Sequence, residues 1–245
     1  GAMWIATAGA QTKYNLKIAG VEVTSANCND LTVIPGVKGK VKYNDATKTL
    51  TLENAIIRAT AEDNYDGDGS GIYNYNDADS LTIRLVGNNL ITSKKGRGIL
   101  NEELCSIILT GGGKLVVKGS TTASEDHYQT GIFNRELIIV RNCTLVVTGG
   151  ERGIDCGLWT FDHCTMYVKG DNKSNDPNKG SMGWIWFDKP EFIGCAITSP
   201  KGVYWKQIES NYEPVFLLFG ANGKVVTDWV IISRTHKNPD LPVRK

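Results

Sequence analysis

Proline is scarce, 7 in 245 residues, and histidine scarcer still at 3. No segment sustains a 3.6-residue apolar period, so helix should be nearly absent. No charge of one sign dominates: 27 Lys and Arg against 26 Asp and Glu leave no broad basic surface, which excludes a nucleic-acid partner. The longest apolar run, Val215–Phe219, is far short of the ~20 residues that a membrane-spanning helix requires. No C-x-x-C pair occurs, and 6 unevenly spaced cysteines suit neither a zinc site nor a disulfide scaffold. His127, His163 and His236 stand apart, so no metal cluster or Ser-His arrangement can be assembled. The stretches GDGSG and GGGK have neither the spacing of a nucleophile elbow nor that of a phosphate loop, and read as turns. Gly1–Met3 reads as a tag remnant, so the lack of an export signal carries no information.

What is present is repetition. Gly followed by an apolar residue recurs at Gly71-Ile72, Gly98-Ile99, Gly131-Ile132, Gly153-Ile154, Gly183-Trp184 and Gly202-Val203, with irregular intervals absorbed by polar loops before the glycine. A second column aligns Asn54, Asn88, Gly113, Cys143, Cys164 and Cys195. Two positions later come Ile56, Leu90, Leu115, Leu145, Met166 and Ile197. Apolar alternation before the cysteines, as in Ile138/Val140 and Trp159/Phe161, is that of half-buried strands. About three short strands per repeat of ~20 to 30 residues indicate a right-handed parallel β-helix, a solenoid of about six coils stacked ~4.8 Å apart. The cysteines then form an inward ladder of free thiols, because stacked parallel side chains hold their β-carbons slightly too far apart for a relaxed disulfide. Asn74, Asn101 and Asn134 form a second inward ladder, in which amides satisfy one another and the backbone.

Solenoid ends expose unpaired strands and need caps. Residues 1–13 are a flexible start and 14–235 one domain. Within it, 14–59 supply a strand pair around Gly20 and a hairpin at Asn44-Asp45, 60–210 the coils, and 211–235 a hairpin cap turning at 221–223. Residues 236–245 are a tail.

The stretches YNLKIAGVEVTSANCNDL, VKYNDATKTLTLENAII, GIYNY, NCTLVVTGG, CAITSPKG and GKVVTDWVII together resemble an uncharacterised class of secreted, surface-associated bacterial repeat proteins typical of gut bacteria. The resemblance covers roughly residues 14 to 233. It implies a pectate-lyase-type β-helix and an extracellular or cell-surface location, with carbohydrate binding described for more distant relatives, and it specifies no catalytic residue.

On such a fold the outer side of one sheet is the working face. There Tyr73, Phe133, Asp155 and Tyr204, with Tyr75 alongside, offer flat rings and a polar group to successive sugar units. The alternative is that corner loops fold over these rings. Glu102 and Asp155 are the only carboxylates positioned for hydrolysis. They lie in different columns with Arg135 between them, so an Arg135–Glu102 ion pair is the plainer reading. A calcium ion could find oxygen donors at Asp63, Asp66 and Asp68, although the loop lacks a closing Glu and also reads as a solvated acidic turn. The expectation is a non-catalytic binding or adhesion module with a glycan ligand. A polysaccharide lyase or glycoside hydrolase and a structural spacer within a larger surface protein are the alternatives.

Overall fold

The computed structural model describes residues 10–62, 64, 66–76, 80–102, 104–122, 129–171, 176–211 and 213–235. They are all-β, with one 3-10 turn at Leu31–Val33 and no α-helix. Three stacks of parallel strands are visited in strict rotation. One pass runs through Leu81–Val86, Asn88–Ser93 and Ile99–Asn101, the next through Ser106–Thr110, Lys114–Lys118 and Thr130–Asn134. The pattern continues through Leu137–Arg141, Thr144–Gly149 and Arg152–Asp155, then Leu158–Asp162, Thr165–Gly170 and Met182–Gly183. Equivalent strands of successive passes pair in parallel. These long parallel sheets are compatible with the expected solenoid. The first and second stacks form one 13-stranded sheet, because the long strand Thr49–Ala59 bends at Asn54 and pairs with Leu81–Val86 before the bend and Asn88–Ser93 after it.

Side-chain columns explain the rotation. Ile72, Ile99, Ile132, Ile154 and Met182 lie in register and are all fully buried. Ile57, Ile91, Val117, Val147 and Val168 do the same from the second stack. Each such side chain stabilises the fold by about 1.5–3 kcal/mol. The glycine before each isoleucine is a packing requirement: a Cβ at Gly131 would fall 2.5 Å from Val147 Cγ1 and 2.6 Å from the Gly153 carbonyl oxygen. Asn74, Asn101 and Asn134 are buried and linked as expected, Asn74 Nδ2 donating to Asn101 Oδ1 at 2.9 Å and Asn101 Nδ2 to Asn134 Oδ1 at 2.8 Å.

Two column assignments shift. Lys114 pairs with Asn88 and with Thr144, so Gly113 shares its rung position with Gly87 and Cys143; neither Asn88 nor Asn54 belongs to that column. The corner is a single residue at Gly87 but spans 111–113 one pass later, and this length change slips the sequence alignment by one. As a result Asn89, not Leu90, faces inward. It is 3% exposed, and its amide bonds Ala55 N–H and the carbonyls of Val86 and Lys114. At the third stack Gly183 pairs with Asp155, two positions later than expected, and Ser181 takes the glycine place.

The ends differ from each other. Lys13–Ile18 and Val21–Thr24 form the expected antiparallel pair around Gly20, and Val37–Asn44 forms a hairpin with Thr49–Ala59. The expected terminal hairpin is found only as a short pairing, with Phe219 bridging Val225 antiparallel, Gly220 N–H donating to the Lys224 carbonyl at 2.8 Å and Val226 N–H to the Leu218 carbonyl at 3.0 Å. Its turn is closed by Gly223 N–H donating to the Gly220 carbonyl at 3.0 Å, and beyond Val226 the two segments part. Val215–Phe219 pairs with Tyr204–Ile208 and with Ile185–Trp186 in a small third sheet. Val230–Arg234 instead runs antiparallel between Thr165–Gly170 and Cys195–Ser199. Both strands are apolar on their inner side, and each finds a different open edge to cover.

All 6 cysteines are free thiols, and all but Cys28 are buried. Cys143 and Cys195 donate across the coil to the carbonyls of Leu109 at 3.6 Å and Phe161 at 3.2 Å. Burial pushes the Cys143 thiol up to about 12. Burial raises Cys164 as well, with Cys195 and Cys143 as neighbours. Thiolate, the reactive form, is therefore suppressed at these positions. A thiol reagent at pH 8 is expected to label at most Cys28 in the native chain and all six after denaturation. Rapid native labelling of two or more would contradict the burial.

Candidate functional site

The residues expected to form a sugar platform are only partly brought together. Tyr73, Leu100, Phe133 and Asp155 do run in register along the outer side of the third stack. Tyr73 is 8% exposed and Asp155 fully buried. The backbone at Gly67 lies so close to the Tyr73 ring that a Cβ there would approach it to 2.4 Å. Tyr75 stacks on Tyr73 with centroids 4.9 Å apart, and its hydroxyl donates to the Glu22 carboxylate. Burial pushes the Tyr73 phenol up to about 12 and Tyr75 higher. The guanidinium groups of Arg97 and Arg135 lie 4.8 and 5.7 Å from the Phe133 centroid. Arg152 donates to Asp155 at 2.7 Å, and Lys179 meets Glu151 at 2.7 Å, both pairs largely sealed from water. Glu102 sits 3.5 Å from Arg135, the ion pair expected between them. This face is a closed layer of rings and paired charges. Tyr204 is not part of the column: it belongs to the third sheet, half exposed beside Phe219. The Gly202 motif lies beyond the last parallel pass, so its resemblance to the repeats is one of composition alone.

Within the acidic loop, Asp63 lies outside the described residues. Lys17 Nζ donates to Asp68 Oδ1 at 2.8 Å and to the Asp66 carbonyl at 2.9 Å, and Asn64 donates to Asp68 Oδ2 at 3.0 Å. The Lys17 hydrogen bond holds the Asp68 carboxyl below its ordinary range. An ammonium thus takes up an Asp68 carboxylate oxygen and the Asp66 backbone carbonyl, two of the oxygens to which a calcium ion could bind. Among the described residues no group of three or more His, Cys, Asp or Glu is arranged to hold a metal.

The open surface is elsewhere, on the outer side of the second stack. Ile56, Leu90, Val116, Val146, Tyr167 and Ile231 form one continuous apolar row across six strands. Beside it runs the row Arg58, Thr92, Lys118, Thr148 and Lys169, and the register Val168↔Val230 brings Trp229 next to Lys169. On the other side lie Asn88, Lys114, Thr144 and Thr165. Tyr167 is 38% and Trp229 37% exposed. Trp229 divides two adjoining hollows. One of about 550 Å³ is shared with Lys118, Thr148, Lys169 and Asp171, and one of about 490 Å³ with Lys114, Tyr167 and Ile231. Rings set among hydroxyls, ammonium groups and a carboxylate can stack on a flat apolar face and hydrogen-bond its edges. A further groove of about 680 Å³ lies on the outer side of the first stack, lined by Thr49, Thr51, Thr82, Lys42 and Arg84 but by no aromatic ring.

Compared with known proteins, the chain matches no family model, no curated protein and no solved structure.

The sequence carries a signal for the open face. A strand half-buried in a coil should alternate, yet LVV at 115–117, LVV at 145–147 and MYV at 166–168 are apolar at consecutive positions. Such runs belong to strands covered on both sides. Their outward members, Val116, Val146 and Tyr167, are the apolar row.

Proposed function

We propose that this chain is a non-catalytic, extracellular or cell-surface binding module with a carbohydrate ligand, built on a right-handed parallel β-helix of about six coils. The rotation of the chain through three parallel stacks supports the β-helix, and the resemblance to secreted surface proteins of gut bacteria supports the location. The observation that carries the ligand class is the pair of exposed rings, Tyr167 and Trp229, set on a flat apolar row between polar rows. Pyranose rings present apolar faces and hydroxyl edges, which such a surface complements. A hydrolytic role finds less support. Cleavage needs two carboxylates on opposite sides of a bond, whereas Asp155 is sealed against Arg152 and Glu102 faces Arg135.

A glycan array is expected to retain the chain. Trp229→Ala and Tyr167→Ala should each weaken retention about tenfold while the melting temperature stays within a few degrees, because both rings are partly solvated. Steady release of sugar products would replace this reading with an enzyme. Neither retention nor product release would leave a structural spacer.

A further inference from the structure

The open face also carries a charge period. In the row beside the apolar stripe, cations and hydroxyls alternate strictly: Arg58, Thr92, Lys118, Thr148, Lys169. Adjacent rungs of a parallel stack are ~4.8 Å apart, so the three cations repeat every ~9.6 Å, the length of an extended disaccharide. Among the described residues no carboxylate pairs with Arg58 or Lys118. Lys169 has a loose contact with Asp171 at 3.4 Å. Lys114 lies on the same strand as Lys118, across the apolar row.

We infer that the ligand is a linear acidic polysaccharide with one anionic group per disaccharide, lying across the strands along the stacking direction. This rests on the carbohydrate reading above and specifies its substrate class. The apolar row and Tyr167 support the sugar faces while Arg58, Lys118 and Lys169 meet successive anions. Threonines on the intervening rungs face the neutral sugars, where a hydroxyl donates and accepts but repels neither charge. Partly solvated cations contribute mainly register and selectivity, with an attraction that salt screens.

The test uses hyaluronan oligosaccharides of ten sugars, which alternate a uronate with a neutral sugar, beside the same oligosaccharides with their carboxylates reduced to alcohols. Calorimetry on the wild-type chain should show the acidic form bound at least tenfold more tightly, with the advantage shrinking as salt is raised. The double variant Lys118→Thr with Thr148→Lys keeps the net charge and the residue content but breaks the two-rung period. It should lose at least fivefold in affinity at an unchanged melting temperature. Equal binding of the acidic and reduced forms would overturn the charge inference and leave the carbohydrate reading in place. Wild-type affinity in the rearranged variant would overturn the period. If neither oligosaccharide binds, the inference falls. Retention of neutral glycans on the array would then still uphold the carbohydrate reading, and their absence would remove both.

Discussion

Replacing Asn101 by alanine is expected to destabilise the fold by about 3–5 kcal/mol, one of the largest effects of any single substitution in this chain. Asn101 is fully buried in the middle of the amide ladder. It accepts from Asn74 and donates to Asn134 and to the Cys105 carbonyl. Its loss removes the acceptor of the Asn74 amide and one donor each from the Cys105 carbonyl and from Asn134 Oδ1, which keeps the Glu136 N–H, and a buried group that loses its bond costs about 1–3 kcal/mol when water cannot replace it. Asn101→Leu should cost about as much as Asn101→Ala, because the orphaned neighbours are the same although the space is refilled. Urea unfolding measures both. A leucine variant within about 1 kcal/mol of wild type would show that volume, and not hydrogen bonding, holds this column.

The second large effect is expected at Arg152. Arg152→Met should cost about 3–5 kcal/mol, because it strands the Asp155 carboxylate in a site closed to solvent. The double variant Arg152→Met with Asp155→Leu should recover at least about 2 kcal/mol of that loss, since a buried ion pair replaced on both sides by apolar groups is often nearly neutral. Additive costs in the double variant would mean that the two residues act independently. Neither substitution touches the second stack, so glycan retention should follow the stability of the variants and nothing more.

How much of this was legible in the sequence depends on how local the constraint is. The glycine-isoleucine motif, the asparagine ladder and the free cysteines follow from a repeat seen three or four times, because each copy meets the same neighbours one rung away. Register failed where corners change length. Nothing in Val86-Gly87-Asn88 states that its corner is shorter than Gly111-Gly112-Gly113, and hydrophobicity favours Leu90 over Asn89 for an inner place that three hydrogen bonds give to asparagine. The terminal hairpin is shorter than its sequence suggests for a different reason. Ala221-Asn222-Gly223 is a genuine turn, but two apolar strands beside a turn are free to pair with any open edge, and here two older edges are available. The rings of Tyr73 and Phe133 lie on the outer side of their strands, where two-residue alternation puts them. The coverage of Phe133 by Arg97, which comes from the previous pass, is a contact that no local pattern encodes, whereas Arg135 and Gly67 are near in sequence to the rings that they cover.

The strand Val230–Arg234, wedged antiparallel between two strands that run in the direction of the repeats, sets a limit on size. A parallel stack offers on its newest strand the same hydrogen-bonding edge that the previous pass offered, so by itself it has no reason to stop at any number of passes. An antiparallel partner on Thr165–Gly170 presents the next strand with a reversed pattern, and Cys195–Ser199 answers it as an antiparallel neighbour. Length is thereby counted by geometry, since the sheet terminates where the chain reverses direction. The reversal also orders events in time. Thr165–Gly170 keeps an open edge until a segment some sixty residues later has returned to it, so an interior seam is finished by a strand from far along the chain.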